Sequence, residues 1–395
     1  MSLLQKFDAM TAVRAELAAR GVRPFGAVNE KIISPTEGTI GGKRVILAGT
    51  HNYLGLTFDP ECIAAAQQCV AEQGTGTCGS RMAAGTYAEH DALEKELAAF
   101  FGRRHGIVFS TGFSATMGVP ATLAGPGDTI LMDSDSHASI YDGVRLSGAE
   151  VVRFRHNDAA NLAKRLERLG DKAKDTLVVV EGIYSMLGDM APLKEIAELK
   201  RRYGFCLLVD EAHSMGVLGK HGRGLAEAAG VEDEVDFIVG TFSKSLGSIG
   251  GYCVSNLDQT DAIRFSVRSY LFTASSTPAT VASARAALRV LQARPELRET
   301  LWRNARMLYD GLRDLGFRVG PEASPVIAAI FEDRETAIRY WQGLLDQGVL
   351  VNLVVPPGSP STYSLLRASA SAAHTEEQIQ RILAAYANLQ LRDAA

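Results

Sequence analysis

The chain has 395 residues, with hydrophobic types at 46% and charged types at 22%, which is the composition of an ordinary globular protein with room for more than one domain. Its 41 basic and 45 acidic residues are interspersed and leave a net charge of −4, which argues against a nucleic-acid surface. Five cysteines without a CxxC pair argue against a disulfide framework or a cysteine metal site and suit a reduced, cytoplasmic setting; no apolar run approaches the roughly 18 residues of a membrane span.

The first stretch places Leu3, Leu4, Phe7, Met10, Val13 and Leu17 on one helical face. It reads as a helix rather than a signal peptide, and with few basic residues its face is expected to pack on protein, with at most peripheral membrane contact. Residues 21–50 follow as an arm with a hairpin turn at Gly41-Gly42. The run HNYLGL then brings Asn52 and Tyr53 into a large domain. Residues 61–73 are alanine-rich and helical and run into GTGTCG. This spacing matches a dinucleotide fingerprint, but a helix rather than a strand precedes it, so it reads as a helix stop and a loop, one that could line a site.

From here strands and helices alternate. After a helix over 90–101, residues 107–109 form a strand, and Thr111-Gly112-Phe113-Ser114 turns into a helix whose unpaired N–H groups could hold a phosphate. TILMDSDSHASIYDG is a strand leading to Asp135 and His137; TLVVVEGIYSMLGD is another, with Glu181, Tyr184 and Ser185 at its exit. Residues 205–209 end at Asp210 and His213, and residues 235–239 end near Lys244 in GTFSKSLGSIGG. This alternation, over about residues 50–270, argues for a mostly parallel α/β sheet. Beyond residue 278 long helices and short strands (326–331, 349–354 and 364–367) suggest a smaller α+β domain, with a proline-rich loop in VVPPGSPSTYS. The expected division is 1–48 (helix and arm), 49–277 (large domain) and 278–395 (small domain).

An isolated lysine in a turn would read as a surface residue. Lys244 differs because it leaves a strand among hydroxyls and glycines, while Asp210 and His213 leave another. In an open parallel sheet such exits converge on the ligand crevice. An amine, a carboxylate and an imidazole gathered there suit pyridoxal 5'-phosphate (PLP): the amine forms a Schiff base with the aldehyde, and the carboxylate keeps the ring nitrogen protonated. Lysine must be neutral to attack, so its surroundings should lower its pKa.

Taken together, HNYLG, GSRMAAGT, FSTGFSA, DSDSHASIYDG, EGIYSMLGD, VDEAHSMG, GTFSKS and LLRASASAAHT, in this order, resemble the α-oxoamine synthases among the fold-type I PLP enzymes. The resemblance spans nearly the whole chain. It implies a large PLP-binding domain with a mostly parallel sheet between helices and a smaller C-terminal α+β domain. It further implies that Lys244 carries the cofactor and moves protons at the substrate α-carbon, that Asp210 pairs with the pyridine nitrogen, and that His213, with Ser185 nearby, bonds the phenolic oxygen. His137 would stack on one ring face and Ala212 pack on the other. The phosphate would be held by Gly112, Phe113, Thr241 and Ser243, with Thr273 and Ala274 from a second subunit, hence an obligate homodimer with shared active sites. Arg367 would bind the substrate carboxylate, with Asn52 close by. No metal is implied.

The implied reaction is a decarboxylative condensation of an amino acid with an acyl-CoA, and the nearest branch is the one joining L-serine to a long-chain acyl-CoA. Two positions depart from that branch: Val355 stands where its loop has an arginine, and His51 where it has a tyrosine. Both bear on substrate rather than cofactor, so glycine with acetyl-CoA, alanine with pimeloyl-CoA, or a medium acyl chain for a signalling ketone remain alternatives. A non-catalytic PLP-binding subunit is disfavoured by the intact GTFSKS, and an ordinary aminotransferase by HASIYDG and LLRASASAAHT.

Overall fold

The structure is a computed structural model, and it describes residues 3–19, 21, 26–356, 358–359 and 362–394. Helix α1 (Asp8–Ala19) leads into strands β1 (Lys31–Ser34), β2 (Glu37–Ile40) and β3 (Lys43–Leu47). The two-residue turn between β2 and β3 is Gly41-Gly42, both at positive φ, the conformation that matches a hairpin's twist and that glycine adopts without strain. The apolar face of the first helix packs on this chain only at its far end. Leu17 is buried and Val13 lies against the core, whereas Leu3, Leu4, Phe7 and Met10 are exposed.

Helices α2 (Pro60–Gln73) and α3 (Ala88–Phe100) precede the main sheet. The Asp59 carboxylate caps α2 by accepting from the Glu61 and Cys62 amides, and Pro60 at the first position loses no hydrogen bond there. The main sheet comprises β4 (His105–Phe109), β5 (Thr129–Asp133), β6 (Glu150–Phe154), β7 (Thr176–Glu181), β8 (Cys206–Asp210), β9 (Phe237–Thr241) and β10 (Gly251–Ser255). Their order is β4-β10-β9-β8-β7-β5-β6, parallel except that β10 runs against both neighbours. Alternate residues face opposite layers. Leu177 and Val179 join one apolar cluster, with helices α4 (Gly112–Leu123) and α5 (Ala138–Ser147), while Val178 and Val180 join another on the far face. A sheet buried on both faces explains strands that read as continuous apolar runs.

The remaining strands are β11 (Val326–Phe331), β12 (Val349–Leu350), β13 (Asn352–Val354) and β14 (Ser364–Ser369). The single strand expected over 349–354 is divided at buried Val351, whose carbonyl accepts from Trp341 Nε1 at 2.9 Å. Its first part runs parallel to β3, and its second joins the three-stranded sheet β11-β14-β13. That sheet carries Arg367 on its central strand, in register with Ala328 and Asn352. Among the described residues, no helix is long and apolar enough to cross a membrane.

Candidate active site

Strands β5, β7, β8 and β9 end at one edge of the main sheet, and their last residues are Asp133, Glu181, Asp210 and Thr241. A cavity of about 340 Å³ opens at this edge, where ligands of open α/β sheets bind. Nine of the residues singled out from the sequence line it: Gly112, Phe113, His137, Asp210, Ala212, His213, Thr241, Ser243 and Lys244. Thr111, Thr116, Ser139, Glu181, Ile249 and Gly250 complete the wall.

Lys244 is half-buried in this wall. Burial drives its ammonium toward the neutral amine, and although the Asp210 and Glu181 charges oppose this, its pKa falls to about 8. Asp210 and Glu181 sit side by side in the register of β7 and β8. Burial raises both, but their environments separate them. Asp210 reaches only about 6, because Lys244 and the Ala212 amide, which donates to it at 2.9 Å, favour the anion. Glu181 is pushed well above the usual carboxylate range, by burial and then by Asp210 itself. Of the two, Asp210 is the one whose surroundings favour the anion, and Glu181 the one they favour keeping its proton.

The two histidines are both held neutral. His137 caps α5, its Nδ1 accepting from the Ser139 amide at 3.2 Å and lying 2.7 Å from the Ser139 hydroxyl, which leaves Nε2 to carry the ring proton. Burial, then Lys244 and Arg367, lowers its pKa to about 4, so the ring can lie on a ligand without bringing a charge. His213 pairs its Nδ1 with the Tyr53 hydroxyl at 2.7 Å, in a buried bond across 160 residues of sequence, leaving Nε2 for a ligand. Burial, followed by the Lys244 charge, keeps it well below its usual range.

The same cavity wall holds an anion cradle. Thr111 caps α4 by accepting the Ser114 amide at 3.0 Å, so the amides of Gly112 and Phe113 open the helix toward the cavity. Gly112 is required by closeness: a Cβ there would stand 2.5 Å from Thr241 Cβ. The Thr241 and Ser243 hydroxyls, 2.8 Å apart, add donors beside these amides. Helix amides and two hydroxyls, with an amine and a carboxylate in the same wall, fit the phosphate, aldehyde and pyridine nitrogen of PLP. The nine wall residues named above are those that would reach it, and Glu181 and Ser139 share the wall with them.

The remaining candidates lie behind the cavity wall. Arg367 is half-buried; burial lowers its pKa, and its charge reaches Lys244, His137 and His213. Its Nη1 donates to the Ser185 carbonyl at 2.7 Å, so Ser185 meets Arg367 through its backbone. The His51 ring stands edge-on to His213 with centroids 5.3 Å apart. The Asn52 amide donates to Thr57 Oγ1 at 2.7 Å, and the Asn52 backbone carbonyl accepts from Ser371. Among the described residues His51 Nε2, Asn52 Oδ1 and Arg367 Nε find no hydrogen-bond partner and are open to a polar ligand. Thr273 and Ala274 are not part of the wall of their own chain's cavity. The GTGTCG loop does not line it either: Gly79 O accepts the Ser275 amide at 3.0 Å, which docks the loop beside Thr273 and Ala274. Of the proline-rich loop, Val355 packs on the core, and Pro357 lies outside the described residues.

Comparison with known proteins agrees with this geometry. Residues 43–385 match the family of class I and II aminotransferases. The serine palmitoyltransferase of Caulobacter vibrioides is 57% identical, across 98% of this chain and 96% of its own. A solved structure of S. paucimobilis serine palmitoyltransferase with a bound PLP–myriocin adduct superposes with a TM-score of 0.96 at 49% identity, covering 99% of each chain. The 8-amino-7-oxononanoate synthase of Anaeromyxobacter dehalogenans is more distant, 38% identical over 96% of this chain and 93% of its own. The chain belongs to the α-oxoamine synthases of the class I and II aminotransferase family, in the branch of the bacterial serine palmitoyltransferases.

Proposed function

We propose that this chain is a PLP-dependent acyltransferase that condenses L-serine with palmitoyl-CoA, giving 3-ketodihydrosphingosine, CoA and CO₂, the first step of sphingolipid synthesis. The observation that carries the reading is the pairing of a Lys244 amine whose pKa is brought down to about 8 with an Asp210 carboxylate whose surroundings favour the anion, beside a phosphate cradle. PLP, when bound, supplies an aldehyde that takes up amines and a protonated ring that accepts an electron pair from the substrate α-carbon.

The chain's residues do the rest. Lys244 holds the cofactor and, released by the incoming amino acid, takes the α-proton as a neutral amine. Asp210 keeps the ring nitrogen protonated, His137 and Ala212 confine the ring between them, and His213 bonds the phenolic oxygen, with Ser185 nearby. Gly112, Phe113, Thr241 and Ser243 bind the phosphate. Arg367 binds the serine carboxylate in the bidentate manner open to a guanidinium, with His51 and Asn52 beside it. The α C–H bond breaks, a C–C bond forms at the thioester carbonyl as the C–S bond breaks, the carboxylate leaves as CO₂, and a proton returns to the α-carbon.

The identity of 57% with a serine palmitoyltransferase, against 38% with an 8-amino-7-oxononanoate synthase, favours serine over alanine despite Val355 and His51. A matrix of amino acids against acyl-CoA lengths, scored by thiol release, tests this. Serine with palmitoyl-CoA should release thiol and CO₂ in equal amounts and most rapidly; faster release with glycine or alanine would move the chain to a sibling activity.

The enzyme is placed in the cytoplasm, in keeping with its five free cysteines, and as an obligate homodimer. Phe272 is 76% exposed, and Thr273 and Ala274 beside it stand apart from their own cavity, as a segment that completes a neighbour's phosphate site would. Turnover by a monomer at working dilution would contradict that assembly.

A further inference from the structure

Outside the cavity, one imidazole ties three loops together at the same sheet edge. His156 follows β6; its Nδ1 lies 2.8 Å from the carboxylate of Asp133, at the end of β5, and its Nε2 lies 2.6 Å from that of Asp189, in the loop after β7. The two carboxylates are 1% and 8% exposed. Asp133 also accepts from the amides of Asp135 and Asn157, and Asp189 from the Asn157 side chain at 3.0 Å. The Tyr184 ring closes edge-on against the imidazole, centroids 4.5 Å apart.

An ionised carboxylate only accepts, so two of them bracketing one ring require a proton on each nitrogen. Burial opposes the resulting charge, but hydrogen bonds to Asp133 and Asp189 outweigh it and carry His156 up to about 10. Asp135 brings another carboxylate within 4.8 Å, as a cation site would need, but both ring nitrogens are already engaged and no lone pair is left for a metal.

The loop held by Asp189 is the one that holds Arg367. The Tyr184 amide donates to the Asp189 carbonyl at 2.8 Å and the Gly188 amide to the Tyr184 carbonyl at 3.0 Å. Between them, the Ser185 carbonyl accepts from Arg367. We propose that His156 is a positioning residue: its imidazolium clamps the loop after β7 so that the Ser185 carbonyl aims Arg367 at the amino-acid carboxylate. This rests on the reading of Arg367 as the carboxylate ligand. A cation lost from between two buried anions leaves them to repel, and the loop shifts.

The test is His156→Gln in the holoenzyme, titrated with L-serine and followed by the visible absorbance change on binding. Deuterium exchange over residues 182–190 is measured in the same protein and in the cofactor-free chain. Serine should bind about tenfold more weakly, the size of coupling seen within one hydrogen-bond network, with the cofactor spectrum before serine unchanged and the loop exchanging faster in both forms. If that variant does not fold, His156→Gln/Asp189→Asn, which removes one cation and one anion, takes its place with the same expectation. Loop exchange at the wild-type rate overturns the clamp. Faster exchange with wild-type serine affinity overturns the link to Arg367, provided Arg367→Lys itself weakens serine. Where Arg367→Lys binds serine normally, the assignment of Arg367 fails instead, and with it the proposal that His156 acts through that residue.

Discussion

Lys244→Ala is expected to abolish condensation, by at least about a thousandfold, and to remove the visible absorbance of covalently held cofactor. Proton transfer by a positioned side chain alone is worth about 10²–10⁴ in rate, and this lysine is assigned both the covalent attachment and the proton transfer. The fold should survive. The folded-state pKa of about 8 lies below the ordinary 10.5, so the charged form opposes folding near neutral pH, and folding releases a proton from this side chain only between about 8 and 10.5. That penalty is present below about 8 and disappears as pH rises toward 10.5. Alanine removes it, and the variant's melting temperature at pH 7 should be no lower than that of the wild type. Absorbance spectra, turnover and calorimetry on one preparation check all three; residual turnover near the wild-type level would refute the assignment.

Asp210→Asn carries the second large effect. The amide matches the carboxylate in shape and can still accept from the Ala212 amide, so the strand end keeps its geometry. What it loses is the carboxylate in the wall whose surroundings favour the anion, whereas burial and Asp210 push Glu181 beside it toward its protonated form. A pyridine nitrogen facing a neutral amide is not kept protonated, and charge leaving the α-carbon then has nowhere favourable to go. Turnover should fall by about a thousandfold or more, in the range of a lost electrostatic partner at a buried site, while the protein still binds cofactor. Exchange of the serine α-proton with solvent, read by NMR without acyl-CoA, should slow in parallel. Exchange at the wild-type rate would remove Asp210 from its role.

The site was legible where chemistry sits one or two residues beyond a buried strand. LLVD followed by EAH, and FIVGT followed by FSK, announce Asp210, His213 and Lys244 because an apolar run that ends in polar types has few other uses. Glu181 ends TLVVVE in the same way, but its importance comes from lying beside Asp210 across the sheet, which depends on strand order. Tyr53 gave no local sign at all: its bond to His213 joins segments 160 residues apart. The same holds for His156, whose two carboxylates come from different loops. A mostly parallel sheet followed from the alternation of strands and helices, but β10, antiparallel within its seven strands, and the division of 349–354 did not. Strand direction and sheet membership are set by which edge is free to pair, and no residue in those runs records it. On the first helix, periodicity identified the apolar face, but not that Leu3, Leu4, Phe7 and Met10 would be exposed.

The central claim is that one amine, its pKa brought down to about 8 by its surroundings, takes the cofactor's aldehyde. The direct measurement mixes the cofactor-free chain with PLP across a range of pH, traps the adduct by borohydride reduction, and maps it by mass spectrometry. A single modified peptide containing Lys244 is predicted, its initial rate of formation rising as pH climbs through about 8 and levelling above it. Modification spread over surface lysines, or a rate that keeps rising to the ordinary lysine range near 10.5, would contradict the account.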